Sequence, residues 1–147
     1  MTTTLADLKT FMFISGPGNF DNKTCCVMTA AAILAGEQFG DRPSCVCPII
    51  RRFAIALNDR IKGNDVRKKL MLPIVKKLLG TKSTPEVERK RCYIAANDAT
   101  HEFAPAALDV VGQHEWAEVL RGLPEGVDKD TAVWAQAWAK EAQTHAA

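Results

Sequence analysis

Five cysteines, Cys25, Cys26, Cys45, Cys47 and Cys92, are the residues of this chain whose type and spacing best suit chemistry. Four of them form two tight pairs, Cys25-Cys26 and, after a gap of eighteen residues, Cys45-Val46-Cys47. Four thiolates are the number a tetrahedral zinc site takes. The spacing departs from zinc fingers and ribbons, whose paired ligands usually stand about two to four residues apart so that both sulfurs converge. Adjacent cysteines on a helix diverge by about 100°, so only one of Cys25 and Cys26 is expected to face inward.

Helices over 24–35 and 48–62 in a simple antiparallel hairpin would hold the two pairs roughly 16 Å apart, too far for one metal. The eleven residues 37–47 span up to about 36 Å, enough to run back along the first helix and close that gap. The metal reading therefore takes Cys25, Cys26, Cys45 and Cys47, with His101 as an alternative fourth ligand, and zinc is the only cofactor it implies. Three other readings stand beside it: buried structural thiols, reactive or redox thiols, and a disulfide. Free thiols are the default in a reducing cytosol, and five is an odd number for a closed disulfide framework. Cys25 and Cys47 fall near expected helix N-termini, where the dipole favours thiolate. A nucleophile also needs a base, and His101, His114 and His145 lie far away in sequence with no local pattern joining them to a cysteine.

Charge is the second feature. The chain carries 19 Lys and Arg against 17 Asp and Glu, a balance that by itself implies neither an acidic nor a basic partner. The layout is uneven. Between Arg51 and Arg91 there are thirteen bases and four acids, a net of +9, while the remainder holds six bases and thirteen acids, a net of −7. Arg51-Arg52, Arg67-Lys68-Lys69, Lys76-Lys77 and Arg89-Lys90-Arg91 are the candidate contacts to a nucleic-acid backbone. The same pattern also describes the solvated faces of successive amphipathic helices. No helix-turn-helix, RNA-binding aromatic motif or zinc-finger spacing is present, so any such binding would be backbone-directed. Asn58-Asp59 joins the list of candidate binding residues, since neither is a strong helix former and both sit near the end of a helical pattern.

The elements that must position these residues read as all-α: a single compact domain over 1–147 of seven to eight short helices, without internal repeats. Apolar residues recur at helical spacing throughout and no stretch alternates long enough to read as a strand. Thr4-Leu5-Ala6-Asp7 has capping-box spacing and starts a helix with Leu5, Leu8 and Met12 as its buried stripe. Val27, Ala30, Ala31 and Leu34 share a face of the second helix, closed by Gly36 in the left-handed conformation. Pro48 opens a third, whose Ile49, Phe53, Leu57 and Ile61, with Ile50 and Ala54 beside them, make it the best core helix by pattern, with Gly63 as its stop. A fourth starts at Asn64 or Asp65, is kinked or divided by Pro73 and closes at Gly80. Ser83-Thr84-Pro85-Glu86 starts a fifth that reaches Phe103. Pro105 and the residues after Gly112 open two more, and Asp128 caps a last helix carrying Trp134 and Trp138. A weak boundary is expected at 122–127.

At 147 residues the chain is long enough to bury a full core, and 47% hydrophobic with 24% charged residues excludes disordered and fibrous classes. The longest nearly unbroken apolar stretch, Val27 to Gly36, is far short of the roughly 20 residues a membrane span needs. No basic n-region precedes an apolar run at the start, so a cytoplasmic location is expected. No phosphate-cradling glycine loop or zinc-protease pattern occurs.

Taken together, Cys26-Val27-Met28, Gly36-Glu37, Asp41-Arg42-Pro43-Ser44-Cys45-Val46-Cys47-Pro48, Phe53 and Asn58-Asp59 resemble a family of small uncharacterised proteins of bacteriophages, prophages and plasmids. The resemblance covers about the first 60 residues, with a looser tail around Leu79-Gly80-Thr81 and Leu120-Arg121. It implies a mobile-element setting in bacterial cytoplasm and no established activity. With no nucleophile, base and oxyanion donor set together, the sequence reads as a non-catalytic accessory protein that binds a macromolecule. A protein partner is the first expectation, nucleic-acid backbone binding through 51–91 the second, and a cysteine-based metal or redox site the third.

Overall fold

The computed structural model describes residues 4–126 together with Asp130, Val133, Ala137 and Lys140. The expected terminal helix with Trp134 and Trp138, and His145, lie outside the described residues. Two compact units divide between Thr84 and Pro85. In the segment 122–127, where the sequence placed a weak boundary, the Gly126 N–H donates to Asn97 Oδ1 at 2.8 Å.

The first unit starts with the single helical turn α1 (Leu5–Leu8), closed by the expected capping box: Asp7 accepts the Thr4 N–H at 2.7 Å while Thr4 Oγ1 accepts from Asp7 N. The chain then forms three two-residue strands, β1 (Met12–Phe13), β2 (Gly18–Asn19) and β3 (Thr24–Cys25), in the order β1-β3-β2. β1 runs parallel to β3, with Phe13 opposite Cys25, and β2 runs antiparallel to it, with Gly18 opposite Cys25. This sheet corrects the all-α expectation, although helix still dominates. Strands of two residues cannot display the alternation by which a strand is read from sequence. Met12 accordingly sits 52% exposed on β1 rather than in a helical stripe. Gly18 is required at its position: φ is +84° and a Cβ there would lie 2.2 Å from the carbonyl oxygen of Thr24.

Four helices complete or bound this unit's core: α1, α2 (Val27–Ala35), α3 (Pro48–Arg60) and α4 (Asn64–Leu78). α2 is the central one, packing on α3 and α4. Every residue from Val27 to Ile33 is buried, as suits a run without a single charge. Gly36 ends it at φ 72°, as expected. α3 starts at Pro48 as expected, but part of its apolar stripe faces outward. Its buried residues are Ala54 and Asn58, while Phe53 is 57% and Leu57 41% exposed. Of the expected stripe, Ile61 packs against the core, as do Ile50 and Ile55 beside it, whereas Phe53 and Leu57 face out. α4 runs unbroken through Pro73. Pro73 and Lys69, whose carbonyl loses the helical hydrogen bond, are both exposed, so water can replace that bond.

The second unit holds α5 (Pro85–Asp98), a π-helical turn (Ala99–Phe103), α6 (Ala104–Val110) and α7 (His114–Arg121). α6 packs on α7 around Leu108, Ala117 and Leu120, flanked by Trp116 and Leu123. Arg121 binds Asp109 and, at 2.6 Å, Glu118, while His114 Nδ1 lies 2.9 Å from Asp109. α5 has no buried residue. The described residues thus hold six helices of seven residues or more, the single turn α1 and the π-turn, against the seven to eight expected over the whole chain.

Candidate functional site

Asn58 and Asp59, flagged by their poor fit to a helix, sit at a polar node of the first unit. Asn58 is fully buried. Its Oδ1 accepts the Val27 N–H at 3.2 Å, which satisfies an otherwise unpaired donor at the start of α2. Its Nδ2 donates to the Ile14 carbonyl and to Asp59 Oδ1, both at 2.9 Å. Asp59 Oδ1 also accepts the Gly16 N–H at 3.2 Å. Arg67, only 5% exposed, completes the node from α4. It donates from Nε to Asn58 O at 2.8 Å, from Nη2 to Ile61 O at 2.6 Å, from Nη1 to Phe13 O at 3.3 Å, and to the Asn64 side chain. The node therefore joins β1, the Gly16 loop, α2, α3 and α4.

Cys26 is part of the same region. It is the N-cap of α2, where its sulfur accepts from Thr29 N at 3.4 Å. Thr29 Oγ1 lies 3.4 Å from that sulfur and donates to Pro17 O at 2.8 Å. Cys25 lies on β3, immediately before the N-cap of α2. Burial, reinforced by Cys26, pushes its thiol up to about 12. On the other side of the unit, Glu37 closes the 37–45 loop, accepting from Ser44 N at 2.6 Å, Ser44 Oγ at 3.1 Å and Cys45 N at 3.1 Å. The Ser44 N–H holds the Glu37 carboxyl below its ordinary range, while burial and then Glu37 itself raise the Cys45 thiol. Cys47 is buried at the N-cap of α3, and its N–H donates to Thr81 Oγ1 at 3.1 Å. Cys92 is exposed on α5. All five are free thiols, and among the described residues no three of His, Cys, Asp and Glu gather as a metal would need. The four cysteines read as ligands are thus placed in two local hydrogen-bond systems, one at the start of α2 and one before α3.

The basic candidates separate. Arg67 belongs to the node and not to a solvated face, and Lys68 is half-buried with its Nζ on the Lys9 carbonyl. Arg51 is half-buried, whereas Arg52, Lys69, Lys76 and Lys77 are exposed. Arg89, Lys90 and Arg91 belong to the other unit, with Lys90 paired to Glu86 at 3.2 Å. No protein-family model matches the chain, and neither curated proteins nor solved structures give a match.

What this arrangement offers chemically follows from satisfaction and exposure. No buried side-chain nitrogen or oxygen among the described residues lacks a hydrogen-bond partner, so the Asn58–Arg67 node is a fastening. The unused chemistry is on the outside. Phe53 and Leu57, one helical turn apart on α3, form an apolar stripe between the exposed Arg52 and Arg60. Val66 and Leu70, both 51% exposed, repeat the pattern on α4 beside Lys69 and Lys77. Sequence reasoning found Phe53 and Leu57 but not their direction, and did not find Val66 and Leu70; Asn58 at the core-facing i+4 position from Ala54 was the available signal.

Proposed function

We propose that the chain is a non-catalytic accessory protein of a mobile element, working in bacterial cytoplasm, that docks a macromolecular partner on the outward face of α3. The observation that carries this reading is the exposure of Phe53 and Leu57 on the helix with the clearest apolar stripe in the sequence. Scattered exposed apolar residues are ordinary, but an aligned i,i+4 pair centred on an aromatic is the form a helix-face recognition element takes. Among the described residues no helix is long and apolar enough to cross a membrane, and the reading requires none. A photo-crosslinking amino acid at position 53, in cells expressing the protein, is expected to give a defined adduct that disappears with Leu57→Asp. The same group at Lys23, on the β2–β3 turn, serves as the control. Equal labelling at both positions, or none at 53, overturns the reading.

A second reading, binding to a nucleic-acid backbone, is favoured by a different observation. Arg52, Arg60, Lys62, Lys69, Lys76 and Lys77 make no ion pair with a described acid. They are therefore available to phosphates. Binding of labelled duplex DNA and single-stranded RNA at low salt, falling steeply with ionic strength, would support it; flat titrations would remove it.

A further inference from the structure

The charge around the α3 face identifies what it accepts, an inference that rests on reading that face as a docking surface. Phe53 and Leu57 share α3 with the exposed bases Arg52 and Arg60, while the nearby acid Asp59 is engaged by Asn58 and the Gly16 N–H, and residues 1–84 as a whole carry thirteen bases against six acids. Two copies of this face pressed together across a two-fold axis would set those bases against each other, which like-charge repulsion opposes. Residues 85–147 have the opposite composition, six bases against eleven acids. They also expose apolar side chains: Val110 is 86%, Phe103 61% and Val119 41% exposed. These stand next to acids. Glu102 precedes Phe103 on the π-turn, and Glu115 lies one helical turn before Val119 on α7. Both acids are exposed, and no described base pairs with either.

We propose that the partner is a second copy of this chain. The basic, apolar face of residues 48–78 in one copy receives the acidic, apolar surface of residues 102–119 in another. A one-way contact of this kind would propagate into an open chain, whereas reciprocal exchange, each copy giving one surface and receiving the other, closes as a two-fold dimer with two identical contacts. Each contact would join the apolar pair of α3 to exposed apolar side chains of the other copy with opposite charges around them, the distribution expected of a specific interface.

Sedimentation of the intact chain over a range of concentrations tests this. A monomer–dimer equilibrium is expected whose Kd rises at least about tenfold from about 0.05 M to about 0.5 M salt. Phe53→Asp should weaken it by a similar factor with an unchanged circular dichroism spectrum. Arg52→Glu with Arg60→Glu should weaken it, Glu102→Lys with Glu115→Lys should weaken it, and all four together in one chain should regain association. A protein monomeric throughout at low salt, a dimer indifferent to Phe53→Asp, or a fourfold variant weaker than both parents overturns the proposal. Failure here is separable from failure of the docking reading. A monomer whose position 53 still crosslinks to a different protein in cells loses only this occupant, whereas absence of any adduct at 53 removes the docking surface itself.

Discussion

Arg67 Nε donates to the main-chain oxygen of Asn58 at 2.8 Å, which ties the first turn of α4 to the last turn of α3. The remaining guanidinium bonds reach Ile61, Phe13 and Asn64. One planar group therefore fixes the turn between two helices and the position of β1. Lysine carries the charge but not the fork. Arg67→Lys is expected to lower stability by about 2 kcal/mol or more, because carbonyls of Asn58 and Phe13 are left without donors. Arg67→Met should cost a comparable amount. Urea unfolding monitored by circular dichroism checks both, and a midpoint within error of the wild type would show that the node does not hold the unit together.

Asn58 serves the same node from the other side. Asn58→Ala removes the acceptor for Val27 N–H and the donor to Ile14 O in a site with no exposure. The expected loss is about 1–3 kcal/mol per group left unsatisfied, partly relieved if water enters. Asn58→Asp keeps the acceptor and loses the donor, and places a second carboxylate next to Asp59. It should therefore be at least as damaging at neutral pH and recover as the solution is acidified.

The direction of α3 makes a contrasting prediction. Phe53→Ser and Leu57→Ser are expected to change stability by no more than about 0.5 kcal/mol, the range of ordinary surface substitutions. Ala54→Leu, on the buried side, should cost about 1–3 kcal/mol by overpacking against α2. If the two serine variants prove the more damaging, the helix faces inward with its apolar stripe.

Much of this fold can be read from residues that punctuate it. Thr4 with Asp7, Gly36 and Pro48 mark starts and stops at which the helices do begin and end. Periodicity was a weaker guide. It singled out α3 as the core helix because a stripe of Ile, Phe and Leu is conspicuous, yet the core helix is α2, whose signal is the absence of charge on every side. Orientation is settled by competition for a limited interior, which no single helix records. The β1-β3-β2 sheet was illegible for another reason: its strands are two residues long and Phe13 meets Cys25 only after the chain has doubled back. Asn58 and Asp59 stood out as misfits, and misfit residues inside a helical pattern are where local preference yields to a tertiary requirement. Their partner Arg67 was hidden inside a run of bases.

Gly18 provides a test of that sheet. A side chain there meets the Thr24 carbonyl and demands a backbone conformation at φ +84° that L residues rarely adopt. Gly18→Ala is expected to cost about 1–3 kcal/mol through backbone strain, before the clash is counted. Gly16, also at positive φ but with open space around a Cβ, should tolerate alanine better. Equal losses for the two would mean that the contact between β2 and β3 is not formed in solution.

The cysteines give the last prediction, and its sign is fixed by linkage. Burial raises the Cys25 thiol from 9.0 in its ordinary state to about 12 in the fold. A thiol whose folded value exceeds its unfolded one contributes its full stabilisation below the unfolded value, and that contribution drains away as pH rises from about 9 toward 12. The first unit should therefore lose stability across this alkaline window and not at neutral pH. Cys25→Ala would lower stability at pH 7, because a buried sulfur is lost, but would flatten the alkaline decline. Native protein should also resist iodoacetamide at Cys25 at pH 8, where Cys92, exposed on α5, reacts freely. Unfolding free energies measured at pH 7, 9 and 10.5 for the wild type and Cys25→Ala decide the matter: parallel pH profiles would show that Cys25 ionises in the fold as readily as in the unfolded chain.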